Sequence, residues 1–283
     1  MQNNAFYSKK TLNVRGRLVD LTEPRIMGIL NVTPDSFFDG GKFRDETAIL
    51  AQVKKMYDEG ATFIDVGGAS SRPGAAEISE AEELSRVIPV VKAIVKNFPD
   101  LIVSIDTVRA SVAKKAIEDG AGMVNDISAG ERDPGILGIV AEAQVPYIMM
   151  HMRGTPQTMT QLTNYENLVK DIADYFHKKI STLYTLGIKD IVIDPGFGFA
   201  KSVQQNFELL QKLDYFRALG LPLLAGLSRK SMVWRTLEIT PEDALNGTTV
   251  LNTVALIKGA SILRVHDVRE ARQCIKLISK LQP

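Results

Sequence analysis

Eight short apolar segments recur along this chain, and almost every one ends in a polar or charged residue. They read RIMGILN (25–31), TFIDVGG (62–68), LIVSIDT (101–107), GMVNDIS (122–128), PYIMMHM (146–152), DIVIDPG (190–196), PLLAGLS (222–228) and SILRVHD (261–267). A helix-like stretch follows each. The repeat averages about 34 residues, close to one strand-plus-helix unit of an eightfold barrel of about 250 residues. The segments are too apolar to have a wetted face, as expected of parallel strands buried under helices. They predict one α/β domain of 283 residues, a (β/α)8 (TIM) barrel over 25–283, rather than two smaller domains. Residues 1–24 precede it as an extension. Its alternating stretch, Leu12, Val14 and Leu18 around Arg15-Gly16-Arg17, reads as a hairpin plugging the N-terminal mouth. In such a barrel the C-terminal strand ends share one face, and that face holds the active site. Asn31, Asp65, Asp106, Asn125, His151, Asp194, Ser228 and His266 are thereby expected to converge.

Bulk properties narrow the function. A formal net charge of +1 argues against a nucleic-acid binder, which usually shows a basic excess. No run of 18 apolar residues exists to span a bilayer. The opening MQNNAFYSKK has no apolar h-region and does not read as a secretory signal. The single cysteine, Cys274, rules out an intrachain disulfide and suits a reducing cytoplasm. It shares the apolar side of the last helix with Val268, Ala271, Ile275 and Ile278, so core packing is the better reading than a reactive thiol. Helix signals are ordinary. Ser79 with Glu82 forms a capping-box pattern, and Pro89 is expected to kink the helix that follows. Gly60, Gly120, Gly187 and Gly220 stand at expected C-caps.

The chemistry concentrates on the predicted face. Arg264 and His266 lie two residues apart on one strand and so point the same way. The neighbouring strand runs into Ser228-Arg229-Lys230-Ser231, and another runs into Arg72. This cationic cluster falls at the strand 7–8 edge, where barrels frequently bind phosphate; Arg offers a planar fork and Lys a point charge. The other half is acidic and amide-rich: Asp106, Asn125 and Asp194 end three strands. Carboxylates accept and an amide does both, a set that suits a flat heterocycle with several N–H donors, such as an aminopyrimidinone. No HxxxH, CxxC or carboxylate cluster marks a tight metal cage. Any Mg²⁺ is expected to be held by one or two oxygens plus substrate phosphates, with Asn31 the best protein ligand. Two long loops rich in Gly and Pro, 31–44 and 67–78, read as mobile lids.

Together these motifs resemble the dihydropteroate synthases. The carriers are G-I-L-N-V-T-P-D-S-F (28–37), G-G-A-S-S-R-P-G (67–74), S-I-D-T (104–107), N-D-I (125–127), M-H-M (150–152), D-P-G-F-G-F-A-K (194–201), S-R-K-S (228–231) and R-V-H-D-V (264–268). They run in order over essentially the whole chain, one per strand. The resemblance implies condensation of 6-hydroxymethyl-7,8-dihydropterin pyrophosphate with 4-aminobenzoate to 7,8-dihydropteroate and pyrophosphate, in folate biosynthesis. By motif it implies that Asp106, Asn125, Asp194 and Lys230 bind the pterin. Arg264, His266, Arg72 and Asn31 with Mg²⁺ would hold the pyrophosphate. Thr33, Pro34, Asp35, Phe37, Ser71, Arg72, Pro73 and Ser231 would shape the 4-aminobenzoate site. It also implies lid closure, a homodimer and a sulfonamide target. Ala69 and Ser71 replace the Glu and Thr usual in the second loop, and Phe38 stands where Ser is frequent; these departures touch the aminobenzoate pocket, not the pterin or pyrophosphate residues. A corrinoid methyltransferase using methyltetrahydrofolate would share the acidic pocket but has no need of the S-R-K and R-x-H cations. A catalytically inactive pterin-binding barrel would show erosion of the face, and none is seen.

Overall fold

The structure is a computed structural model that describes residues 9–32, 42–72 and 74–281. A short antiparallel pair, β1 (Thr11–Val14) and β2 (Arg17–Asp20), comes first. The barrel strands follow: β3 (Arg25–Asn31), β4 (Phe63–Gly67), β5 (Ile102–Asp106), β6 (Met123–Asp126), β7 (Tyr147–Met150), β8 (Ile191–Asp194), β9 (Leu224–Ala225) and β10 (Ile262–Val265). Every one falls inside its apolar segment. Each is parallel to its neighbours, in the order β8-β7-β6-β5-β4-β3-β10-β9. An Ile193–Leu223 bridge joins β8 to β9 and closes the ring. The surrounding helices are α1 (Lys42–Asp58), α2 (Glu80–Asn97), α3 (Ala110–Glu118), α4 (Gly135–Ala143), α5 (Leu168–Thr185), α6 (Val203–Gln211), α7 (Ser231–Leu237), α8 (Leu245–Ile257) and α9 (Val268–Ile278).

The hairpin plugs the barrel as expected, but by different residues. Arg15 and Gly16 both have positive φ (52° and 87°), as a two-residue turn with right-handed strand twist requires. The resulting register puts Leu12 opposite Val19 and Asn13 opposite Leu18. Opposed residues share a face, so Val19 joins Leu12 and Val14 against the barrel, while Leu18 is 70% exposed. Leu12, Val14, Val19 and Leu21 pack on Met27, Phe63, Ile102, Met123, Ile148, Val192, Leu224 and Ile262, one residue from each strand. This layer fills the N-terminal mouth.

The helix signals are largely realised. The Ser79 hydroxyl accepts from the Glu82 N–H at 3.1 Å. Glu82 pairs with Arg86 instead of closing the box. Helix α2 continues through Pro89 as one element. Gly60, Gly120, Gly187 and Gly220 all take positive φ. Cys274 is buried beside Val268, Ala271, Ile275 and Ile278.

Candidate active site

Two residues beyond the hairpin layer, strand alternation turns Asp65, Ser104, Asn125, Asp194 and Arg264 into the same interior. Asp65 is fully buried. Its Oδ2 accepts from Arg264 Nε at 2.6 Å and from Asn125 Nδ2 at 2.9 Å. Arg264 Nη2 also donates to Asp106 Oδ2 at 2.8 Å. The acidic and cationic halves expected from the sequence are therefore joined at one guanidinium. Burial, then the neighbouring Asp65 charge, raise the Asp106 carboxyl to about 7, with Arg264 pulling the other way. Burial favours the neutral form of Arg264, but Asp65 and Asp106 outweigh it and hold the guanidinium charged.

Asp194 ends β8, and its Oδ1 accepts the Gly196 N–H at 2.8 Å. Burial raises its pKa, opposed by Lys230, the Gly196 N–H, Arg264 and Lys201. Gly196 has φ 74°, and any Cβ there would run into the His151 carbonyl. Lys230 reaches across from the N-cap of α7 to donate to the Phe197 carbonyl, with its ammonium 4.5 Å from the centre of the Phe199 ring. Burial lowers it to about 8 against the pull of Asp194. Beneath, Lys201 donates to the Gly196 and Phe199 carbonyls, each at 2.9 Å, and lies 3.2 Å from His151 Nδ1. Burial lowers Lys201 to about 7.

His266 follows β10, with Nδ1 2.9 Å from Ser228 Oγ, which also accepts the His266 backbone N–H at 3.2 Å. Burial and then the Arg264 charge lower its imidazole to about 4, with Arg229 and Arg72 adding to the effect and Asp267 opposing it. In the free protein at neutral pH this favours the uncharged imidazole of His266. Arg229 is turned away: Nε and Nη2 grip both Asp267 oxygens at 3.0 and 2.8 Å. Of the S-R-K-S run, Ser228 and Lys230 remain at the site, and Ser231 opens α7 half-buried.

Asn31 ends β3 half-buried, directly opposite Gly67 in the β3–β4 register. Ser71 is half-buried and Arg72 exposed on the second loop. That loop is tied down along its length. Arg86 donates to the Gly68 carbonyl at 2.8 Å, Gly74 N–H to the Pro156 carbonyl at 3.1 Å, and Gln157 to the Ala75 carbonyl at 2.9 Å. Buried Glu83 accepts Thr107 Oγ1 at 2.7 Å and pairs with Arg109, which also holds the Ile78 carbonyl. Thr33, Pro34, Asp35 and Phe37, with Phe38 and Pro73, lie outside the described residues.

Three features escaped the sequence reading. Asp65 was placed on the face but given no role, because an Asp in mid-strand has no local signal for its partners. Lys201 closes the D-P-G-F-G-F-A-K motif, which does not show that the fold buries it. The 151–167 connection, with a 3₁₀ turn at Met159–Gln161, is a third long loop on this face; its apolar residues mimic a helix pattern.

A model of the family described as pterin binding enzyme matches residues 27–266. The chain is 42% identical over 269 residues to the dihydropteroate synthase of Escherichia coli (strain K12), covering 94% of this chain and 95% of that one. It is 44% identical over 268 residues to the dihydropteroate synthase of Haemophilus influenzae, covering 94% and 97%. Among solved structures, Yersinia pestis dihydropteroate synthase with a sulfonamide drug complex superposes with a TM-score of 0.90 at 41% identity, over 96% of this chain and 99% of that one. Xanthomonas albilineans dihydropteroate synthase with 4-aminobenzoic acid gives a TM-score of 0.90 at 38% identity, over 97% and 99%.

Proposed function

The chain belongs to the dihydropteroate synthase family of pterin-binding enzymes, and from that premise we propose how its barrel face condenses 6-hydroxymethyl-7,8-dihydropterin pyrophosphate with 4-aminobenzoate. The carrying observation is the Arg264 guanidinium, bonded to Asp65 and Asp106, where the acidic and cationic halves meet. On the acidic side Asp106, Asn125, Asp194 and Lys230 bind the pterin ring and exclude water from it. On the other, Arg264, His266, Arg72 and Asn31 hold the pyrophosphate. Arg264 and Arg72 contribute charge, and His266 contributes a neutral donor. Such donors act most strongly where charge develops, here on the departing pyrophosphate oxygen. Pyrophosphate leaves first, and the carboxylates of Asp106 and Asp194 counter the positive charge left on the exocyclic methylene. The arylamine is already neutral at pH 7, so it attacks without a strong general base.

Mg²⁺ suits this donor set. Among the described residues no group of three or more His, Cys, Asp or Glu could hold a metal, and Mg²⁺ is commonly bound by one or two protein oxygens plus substrate phosphates. Asn31 would supply the amide oxygen, and the ion would neutralise the leaving pyrophosphate. Ser71, Arg72 and Ser231, with Thr33, Pro34, Asp35, Phe37 and Pro73, shape the 4-aminobenzoate site. Ordering a loop costs on the order of 1–2 kcal/mol per residue fixed. The second loop is already tied at several points, which lowers its share of that cost. Asn31 and Arg72 would both be drawn to bound pyrophosphate with its Mg²⁺, and the aminobenzoate site would form beside them. Pyrophosphate release that requires both substrates, together with 4-aminobenzoate titrations in the presence and absence of Mg²⁺ and pyrophosphate, tests the scheme. Tight 4-aminobenzoate binding to the free protein would defeat the ordering argument.

The protein works as a homodimer in a reducing cytoplasm. Supporting the dimer, Val250 and Ile257 lie seven residues apart on one face of α8, and with Leu277 on α9 and Leu281 they are more than half exposed. Light scattering reads the mass. No helix of the described residues is long and apolar enough to cross a membrane, and buried Cys274 is a free thiol.

A further inference from the structure

Asp65 is given no contact with either substrate in the scheme above, yet it bonds two residues that are given one. It is fully buried in mid-strand, and Ile29 stands opposite it in the β3–β4 register. A barrel needs no carboxylate at that depth: an apolar side chain of similar volume is commonly as stable or more so than a buried ion pair. Its contacts are specific. Oδ2 takes the Arg264 Nε–H at 2.6 Å and the Asn125 Nδ2–H at 2.9 Å.

Each bond removes a freedom that substrate binding would otherwise have to remove. An amide presents either a carbonyl or an NH₂ to its neighbour, whereas an ionised carboxylate only accepts. Asp65 therefore admits one sense of Asn125, with NH₂ inward and Oδ1 toward the site; the reverse would set two acceptors against each other. Likewise Arg264 spends Nε on Asp65 and one Nη2 hydrogen on Asp106, which fixes the guanidinium plane and leaves Nη1 for an anion.

We infer that Asp65 is a positioning residue: one buried carboxylate oxygen presets both the ring-facing acceptor of Asn125 and the anion-facing donor of Arg264. The inference rests on the roles proposed above for those two residues. It couples pterin recognition to leaving-group recognition through a group that touches neither.

The test uses calorimetry with two probes, 6-hydroxymethyl-7,8-dihydropterin for the Asn125 side and Mg²⁺ with pyrophosphate for the Arg264 side. Asp65→Ala is expected to weaken both by about tenfold or more, the usual scale for disordering a buried polar partner. In an Asn125→Ala background the same change should alter pterin affinity by less than about threefold. In an Arg264→Ala background it should alter pyrophosphate affinity equally little, because residues acting through a shared contact are not additive. Asp65→Val, which likewise offers no acceptor but fills more of the space, gives the same readout if the alanine variant fails to fold. Parent-like binding by the Asp65 variants, or full additivity in both backgrounds, would overturn the inference and leave the site roles standing. Parent-like binding of both probes by Asn125→Ala and Arg264→Ala would overturn the roles, and the inference with them.

Discussion

The two mouths of this barrel are built from the same eight strands, and they are opposite in chemistry. At the N-terminal mouth Met27, Phe63, Ile102, Met123 and their counterparts close dry against Leu12 and Val14 of the hairpin. One alternation step along, about 7 Å, Phe63 gives way to Asp65, Met123 to Asn125, Val192 to Asp194 and Ile262 to Arg264. The lower layer gains from burial and dispersion. The upper layer holds charge in a low-dielectric interior, which disfavours it unless paired. Stability and activity are thus segregated along one axis, within a single residue pair on four of the eight strands.

Substitutions can break that division. The largest expected effect is at the lower mouth. Phe63→Ala removes a fully buried ring and should cost about 3–5 kcal/mol in denaturant unfolding, with the folded fraction turning over within twofold of the parent. Loss of pterin affinity in that fraction would show that the mouths are not separable. At the upper mouth Arg264→Ala should lower turnover of the folded fraction by about 10²–10³, or ~2.7–4 kcal/mol. It also leaves Asp65 buried without its cation, so stability falls too. Turnover within twofold would remove Arg264 from the anion site. Asp194→Asn should weaken pterin binding by about 1–3 kcal/mol, because a donor then faces a donor. Its stability should hold or rise, since burial already disfavours the charged carboxyl. A lower melting temperature with unchanged pterin affinity would reverse that reading.

The lower mouth was legible in the sequence and the upper one only in part, for a physical reason. Apolar runs of strand length, each followed by a helix pattern, specify a buried parallel strand wherever they occur, so all eight strands fell inside their segments. The shortest is β9, Leu224–Ala225, where Gly226 follows. Leu18 was misplaced because alternation alone does not say which face a hairpin buries; the Arg15-Gly16 turn sets the register. At the upper mouth residue type showed which groups converge, but not which of them neutralise one another. Arg229 has the same chemistry as Arg264 and is spent on Asp267. Asp65 and Lys201 draw their roles from partners 50 or more residues away and Glu83 from partners 24 and 26 residues away, which no local pattern encodes.

The smallest effect tests the charge count of the upper mouth. His266 is held to about 4, by burial first and the Arg264 charge second. An imidazole whose pKa is lower in the native than in the unfolded chain contributes stability that is present above about 6.5 and lost as pH falls toward 4. Asp106, raised to about 7, runs the other way: its contribution is largest at low pH and is lost as pH rises through 7. Between pH 4 and 6.5 the two slopes oppose, so global unfolding should be only weakly pH-dependent from these groups. Site-resolved NMR separates them. In the free protein the His266 ring signals should stay fixed from pH 8 to about 5.5 and titrate near 4. In Arg264→Ala, with the second cause removed, the midpoint should move up toward 6.5. If His266 instead titrates near 6.5 in the parent, it is already partly a cation before pyrophosphate arrives. The anion side then carries a charge beyond Arg264 and Arg72, and the neutral-donor role assigned to His266 fails.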